Sequence, residues 1–179
     1  LWTPEGRTAL EFLQAKGLTE ATIRRAGIGF NPSDLYRDRR GWGLPQKVNS
    51  YGTATLVWLP TGIVIPLAPS TEQKGVGETM TRLRFRRFAD TGPRYVICAG
   101  SSVAPLVLEA DKSIFTIVES ELDAWLIWQE TADLTGVVAM GSAVMKPDVA
   151  AHDLLTKAEI ILNSLDYDEA GARQSWNWW

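Results

Sequence analysis

Four carboxylates in the last third of the chain have the types and spacing that could do chemistry. Glu119 and Asp123 lie four residues apart, and Asp166 and Asp168 are separated by a single residue. On an extended chain, alternate residues project to the same side about 7 Å apart, and like charges held that close repel each other. A bound cation would remove this repulsion, and carboxylate oxygens are the ligands that hard ions such as Mg²⁺ or Mn²⁺ prefer.

The elements that position these carboxylates follow a strand-helix alternation that begins near Glu109. Strand-like apolar runs occupy 113–118, 136–140 and 159–165, and helix-like segments occupy 121–131, 147–155 and 169–179. Alternation of this kind is typical of βαβ units and a parallel sheet.

Parallel sheets bind ligands beyond the carboxyl ends of their strands. Glu119 follows the first predicted strand, and Asp166 and Asp168 follow the third, which we interpret as a buried strand with both aspartates on one side. Asp123 lies about one helical turn after Glu119, on the same side. The sequence therefore predicts an acidic metal site at one edge of the sheet.

Composition excludes several classes of protein. The 179 residues contain one cysteine and one histidine, so a disulfide framework, a Cys/His zinc site within this chain and Ser-His-Asp or Cys-His catalysis are not expected. No apolar run reaches the roughly 18 residues of a membrane span, and no signal peptide is visible. We therefore expect a cytoplasmic protein with no membrane partner.

Charge is distributed unevenly along the chain. Residues 1–110 carry 14 Lys and Arg against 9 Asp and Glu, whereas residues 111–179 carry 4 against 12. This asymmetry predicts a basic surface suited to a polyanion and an acidic site suited to a cation.

The first 110 residues have the pattern of a mixed α+β unit. Predicted helices cover 4–16 and 18–28, a loop covers 31–50, strands cover 55–59, 62–67, 80–88 and 94–100, and a turn covers 70–77. Short strands separated by turn residues are typical of an antiparallel sheet.

Arginines recur at every second position of the predicted strand 80–88. Arg82, Arg84 and Arg86 therefore lie on one face, where three guanidiniums could bind phosphates. The alternative interpretation is an edge strand that its charges protect from aggregation.

The acidic segments resemble the Toprim domain, which is shared by DnaG-type primases, type IA and II topoisomerases, OLD-type nucleases and RecR-type repair proteins. The matching stretches are VESELDA (118–124) and LDYDEAG (165–171). Glu119 matches the first Toprim motif, Asp123 matches an acid added in primases, and Asp166 with Asp168 matches the Asp-x-Asp motif. The resemblance covers roughly 111–179 and implies a parallel-sheet α/β subdomain that is truncated at its C-terminus.

The remainder of the chain resembles the start of a DnaG-type catalytic core. The matching stretches are AKGLTEATIRRAGIGFNP (15–32), GIVIP (62–66), RLRFRR (82–87) and RYVI (94–97). The whole chain is thus similar to the core of a bacterial, phage or plasmid DNA primase. This implies an α/β protein with a basic mixed α+β subdomain over 1–110 and a Toprim subdomain over 111–179.

A primase core implies synthesis of short RNA primers on single-stranded DNA from ribonucleoside triphosphates. The resemblance assigns Asp166 and Asp168 to Mg²⁺ or Mn²⁺, Glu119 to the metal or to general-base catalysis, and Asp123 to completing this cluster. The predicted nucleic-acid and nucleotide contacts are Arg82, Arg84, Arg86, Arg94, Ser101 and Ser102. A replicative helicase would bind regions outside this chain.

Two alternatives remain open from the sequence. A Toprim nuclease would use the same acids to activate water. A non-catalytic Toprim module would bind DNA without turnover.

Overall fold

The computed structural model describes residues 1–179 except 68–79, 110, 143, 167, 170–171, 174 and 176–179. The chain divides into two compact units. The first contains Leu1–Lys16 and Ile23–Ser102, and the second contains Gly17–Thr22 and Val103–Trp179.

Antiparallel pairing organises the first unit, as the sequence predicts. Its four-stranded sheet has the order β1-β4-β5-β6, and a separate two-stranded sheet pairs β2 with β3. The strands are β1 (Gly29–Asn31), β2 (Leu35–Asp38), β3 (Leu56–Leu59), β4 (Gly62–Leu67), β5 (Arg82–Arg86) and β6 (Tyr95–Ile97).

Two short helices precede these strands. A 3₁₀ turn at Pro4–Gly6 leads into α1 (Arg7–Ala15), and α2 spans Glu20–Arg25. Thr19 caps the second helix, because its hydroxyl accepts a hydrogen bond from the backbone N–H of Thr22 at 3.2 Å.

The prediction of a loop over the whole of 31–50 is wrong, because β2 lies within it. Leu35 pairs with Leu59 and Asp38 with Leu56. This polar segment forms a strand because it pairs with β3, some twenty residues away. Local sequence preference does not report such a distant partner.

The core of the first unit confirms the predicted alternation in β5. Phe85 is buried with Val57, Leu59 and Cys98, so its face of the strand packs inward. Burial also raises the pKa of the Cys98 thiol above its ordinary value, which leaves this cysteine a small apolar core residue rather than a nucleophile.

The second unit is built on the predicted parallel strands. The sheet has the order β10-β8-β9-β7, in which β8 pairs parallel with both β9 and β10. The elements are β7 (Leu106–Leu108), β8 (Ile114–Val118), α3 (Glu121–Thr131), β9 (Gly136–Ala139), α4 (Val149–Leu155) and β10 (Ile160–Asn163). The core around β8 and β9 contains Phe115, Ile117, Val138, Met140 and Leu155.

The sequence did not predict β7, which pairs antiparallel with β9 and makes the sheet mixed.

The close approach of the backbone in this part of the sheet explains why a glycine stands at position 136. A Cβ there would lie 2.5 Å from the carbonyl oxygen of Glu109, so a larger residue would force the backbone apart.

The prediction of a buried third parallel strand is wrong in two respects. β10 ends at Asn163 rather than Leu165, and it lies at the edge of the sheet. Ile160, Ile161 and Leu162 are 40–49% exposed. Since Asp166 and Asp168 lie beyond the strand, strand alternation does not fix the side to which they project.

Some predicted features fall on residues that the structure does not describe. The predicted turn at 70–77 lies outside the described residues, as does most of the predicted helix 169–179. In the part of the chain that is described, none of the helices combines the length and the hydropathy needed to cross a membrane.

The start of β2 is fixed by a carboxylate with three donors. Asp34 accepts hydrogen bonds from the Thr61 backbone N–H at 2.8 Å, the Trp58 indole at 2.9 Å and the Thr61 hydroxyl at 2.9 Å. Because the ionised form accepts these bonds, they hold the pKa of the Asp34 carboxyl below its ordinary value, the backbone bond contributing most.

We predict that Asp34 contributes to acid unfolding of the first unit. A lowered pKa gives stability that is present above the unfolded-state pKa of about 4 and is lost as pH falls through the folded-state value. Asp34→Asn should flatten this loss in the free energy of unfolding, measured by urea titration between about pH 5 and pH 2. The exposed Asp90→Asn is the control, and an unchanged pH profile in Asp34→Asn would contradict the assignment.

Candidate active site

The carboxyl ends of the three parallel strands lie at one edge of the second unit's sheet. Hydrogen bonding continues past the strand ends, since Met140 N donates to Val118 O at 2.9 Å and Gly141 N donates to Glu119 O at 2.8 Å. On the other side of β8, Ser164 N donates to Ile117 O at 2.9 Å. The residues that follow β8, β9 and β10 therefore lie close together at this edge of the sheet.

Glu119 is the residue that connects two of these strand ends. Its side chain is half-buried, and its Oε1 accepts a hydrogen bond from the backbone N–H of Asp166 at 3.2 Å. The structure thus brings together two of the four predicted acidic residues, although they are 47 positions apart in sequence. An N–H donor on an ionised carboxylate stabilises its charge and fixes its position.

Asp123 is held by the residue that begins α3. The Ser120 hydroxyl donates to Asp123 Oδ2 at 2.5 Å and accepts from the Asp123 backbone N–H at 3.3 Å. This reciprocal pair is an N-cap, and the Ser-x-x-Asp spacing before an apolar helix is its sequence signal. Ser120 lies within the matched motif VESELDA, but its capping role is not among the sequence predictions.

Asp166 and Asp168 are both exposed, in irregular backbone after β10. The carbonyl of Asp168 accepts from Ala172 N at 2.9 Å, which is the start of a helical turn. The middle residue of the Asp-x-Asp motif, Tyr167, lies outside the described residues.

The donor set at this edge consists of carboxylate oxygens, which fit a hard cation such as Mg²⁺ in chemical type. Within the described residues, no three Asp, Glu, His or Cys side chains are gathered around a point that could hold a metal ion. Mg²⁺ in proteins commonly keeps water or phosphate oxygens beside its carboxylate ligands.

The predicted basic strand lies inside the first unit's sheet. β5 is hydrogen bonded to β4 on one side and β6 on the other, so the interpretation of an edge strand protected by charge is wrong. Arg82 and Arg84 are buried at 4% and 7% exposure, and Arg86 is half-buried.

Aromatic rings lie against this row of guanidiniums. The Arg84 Cζ is 4.4 Å from the centre of the Tyr95 ring. The Arg86 Cζ is 3.9 Å from the centre of the Phe12 ring and 5.2 Å from that of Phe88. Contact with a ring face stabilises a cation that has lost part of its water.

The remaining predicted contact residues surround the same sheet. Arg94 is exposed, and its carbonyl accepts from Arg87 N at 2.8 Å. The Ser101 hydroxyl accepts from Leu83 N at 3.0 Å, and Ser102 N donates to Thr81 O at 2.8 Å. Both serines therefore extend the hydrogen bonding of β5, and a role in phosphate binding stays a prediction.

The chain has the fold of the DnaG catalytic core. It matches the RNA polymerase domain of Mycobacterium tuberculosis primase DnaG over 98% of this chain and 64% of that one, with a TM-score of 0.67 and 18% identity. It matches a DNA primase domain from Pseudomonas aeruginosa over 97% and 58%, with a TM-score of 0.65 and 18% identity. The resemblance drawn from sequence is confirmed at the level of the fold.

A third solved structure, a DnaG primase catalytic domain bound to single-stranded DNA, matches over 98% of this chain and 61% of that one, with a TM-score of 0.63 and 17% identity. The chain thus spans about three-fifths of the length of the solved structures it matches. No protein-family model and no curated protein sequence matches the chain.

We predict that the Ser120 cap stabilises the second unit. Ser120→Ala removes both hydrogen bonds to Asp123, so the free energy of unfolding should fall by about 1 kcal/mol, the usual cost of losing a capping side chain. Denaturant unfolding followed by circular dichroism measures this change. Ser113→Ala, at an exposed serine before β8, is the matched control. Equal stability of the two variants would show that the cap contributes nothing.

Proposed function

We propose that this chain is part of the catalytic core of a DNA primase, an enzyme that makes short RNA primers on single-stranded DNA. The observation that carries the proposal is the joining of Glu119 to Asp166 at the carboxyl edge of a sheet with the DnaG core fold. Fold alone does not determine an activity. The proposal therefore also requires the carboxylates that lie at the sheet edge where the parallel strands end.

The reaction is nucleotidyl transfer between two ribonucleotides. The 3′ hydroxyl of one nucleotide attacks the α-phosphate of the next, a new phosphodiester forms, and the bond to pyrophosphate breaks. Asp166 and Asp168, with Glu119, would hold Mg²⁺ or Mn²⁺. When bound, such an ion neutralises charge on the phosphoryl oxygens and on the attacking and leaving oxygens.

Glu119 is suited to a role close to the reacting hydroxyl. Its carboxylate is half-buried and has one oxygen fixed by the Asp166 N–H, which reduces the freedom of the group before substrate binds. It would either hold the metal or accept the proton of the attacking hydroxyl. Asp123, fixed by Ser120, would orient or complete the acidic group.

The basic sheet of the first unit would bind single-stranded template and triphosphate. The face formed by Arg82, Arg84 and Arg86 provides guanidinium donors, which match phosphate oxygens in geometry. Arg86 is the most exposed member of this face, and Arg94 is exposed just before β6. Ser101 and Ser102 would add hydroxyl donors beside the start of β5, where they are hydrogen bonded to Leu83 and Thr81. A solved DnaG catalytic domain of similar fold is bound to single-stranded DNA, which supports this part of the proposal.

We predict that Mn²⁺ binds the acidic edge. Isothermal titration of the chain with Mn²⁺ should reveal a site that Asp166→Asn/Asp168→Asn removes, because neutral amides are much weaker ligands than carboxylates for a hard cation. Asp133→Asn/Asp153→Asn removes the same charge from exposed positions of the second unit and should leave the site intact. Equal Mn²⁺ binding by both double variants would exclude the assignment.

We predict that Glu119 is required for primer synthesis. In the full-length protein, Glu119→Gln should reduce incorporation of labelled ribonucleotides on single-stranded DNA by roughly 10²-fold or more, the usual contribution of a positioned acid or base. DNA binding should change little, because the arginines carry it. Glu159→Gln, at an exposed position before β10, is the control.

The outcome of this experiment separates primase from the two alternatives. A nuclease would show metal-dependent DNA cleavage that depends on Glu119, with no primer from the parent protein. A non-catalytic module would show neither activity. A parent that makes primers, with a Glu119→Gln variant that makes them equally fast, would defeat the role assigned to Glu119.

A further inference from the structure

Arg86 is held in place by two aromatic side chains of the first unit. Its guanidinium carbon lies 3.9 Å from the ring centre of Phe12, in α1, and 5.2 Å from that of Phe88, two residues beyond β5. The two rings meet edge to face, with centres 5.6 Å apart and planes at 83°. Phe12 and Phe88 together are called the Phe12–Phe88 pair below.

Within the described residues, the Arg86 side chain contacts these two rings and forms neither a hydrogen bond nor an ion pair. The neighbouring Arg87 differs because its side chain donates hydrogen bonds within the protein. Its Nη1 donates to the carbonyl oxygens of Thr91 and Pro93, each at 3.2 Å, so its donors serve the loop before β6.

A half-buried guanidinium with this surrounding favours an anionic ligand. Partial burial removes water from the charge, which is unfavourable unless another group compensates. The rings compensate in part through their negative faces. They do not replace the hydrogen bonds to water, so the planar N–H donors remain suited to phosphate oxygens, which they match in geometry.

We propose that Phe12 and Phe88 are positioning residues, which hold the Arg86 guanidinium ready to bind a phosphate of single-stranded DNA. This inference rests on the proposed function. It adds that phosphate binding by Arg86 depends on the Phe12–Phe88 pair, neither member of which carries charge or hydrogen-bonding groups. Fixing a flexible side chain before binding lowers the conformational entropy lost when the ligand arrives.

A merely structural role for the pair predicts a different result. If Phe12 only attaches α1 to the sheet, its loss should lower the stability of the fold, and any effect on DNA binding should not depend on Arg86. If it acts through Arg86, its loss should matter only while Arg86 is present. A double-mutant cycle measures this dependence.

The experiment measures binding of a labelled oligo-dT to the 179-residue chain by fluorescence anisotropy at several salt concentrations. Arg86→Gln should weaken binding and reduce the log–log salt slope by about 0.7, as expected for one lost single-strand phosphate contact. Arg87→Gln removes the same charge from the adjacent residue and should leave the slope unchanged. Melting temperatures verify that each variant is folded.

Phe12→Leu should weaken binding about fivefold, the scale of one cation–π contact, and should have no further effect in the Arg86→Gln background. Phe12→Tyr keeps the ring and should bind within about twofold of the parent. Phe88→Leu, at a position 42% exposed, tests the same inference if Phe12→Leu fails to fold.

The possible failures are distinguishable. A parent chain that does not bind oligo-dT would overturn both this inference and the DNA-binding part of the proposed function. If Arg86→Gln weakens binding while both phenylalanine variants bind like the parent, only the positioning role is wrong. If Phe12→Leu lowers the affinity for oligo-dT equally in the parent and in the Arg86→Gln background, the pair has a structural role only.

Discussion

The parallel pairing of β8 with both of its neighbours is the constraint on which the acidic site depends. Val118 pairs with Ala139 on one side, and Ile117 pairs with Asn163 on the other. This register places Glu119 beside the residues that follow β9 and β10. A slip of one residue in the ladder between β8 and β10 would turn the side chains of β10 to the opposite face of the sheet, and Asp166 would lose its position next to the Glu119 carboxylate.

Two hydrogen-bond donors stabilise carboxylates at the acidic edge. Asp166 donates its backbone N–H to Glu119, and Ser120 donates its hydroxyl to Asp123. Each of these two carboxylates therefore has a hydrogen-bond donor within the protein. Asp166 and Asp168 are both exposed to solvent.

Arg86 of the first unit is stabilised by another means. Its guanidinium contacts aromatic rings from α1 and from the chain after β5. Contact with a ring face stabilises the charge of a guanidinium and leaves its N–H donors available, whereas a paired carboxylate would occupy them. This difference matters for binding, because an arginine already paired with a carboxylate has fewer donors left for phosphate.

The amino-acid sequence alone predicts the antiparallel and parallel units, the bounds of α3 and β4, and the presence of acids after β8 and β10. These features depend on periodicity and on residues that are close in sequence, which a single chain reports directly. Tertiary structure decided that β2 and β7 form, that β5 is an interior strand, and that β10 is an exposed edge. It also decided which aromatic side chains hold Arg86. The physical reason is that pairing partners and ring contacts join residues far apart in sequence, such as Phe12 and Arg86, whose proximity only the folded chain creates.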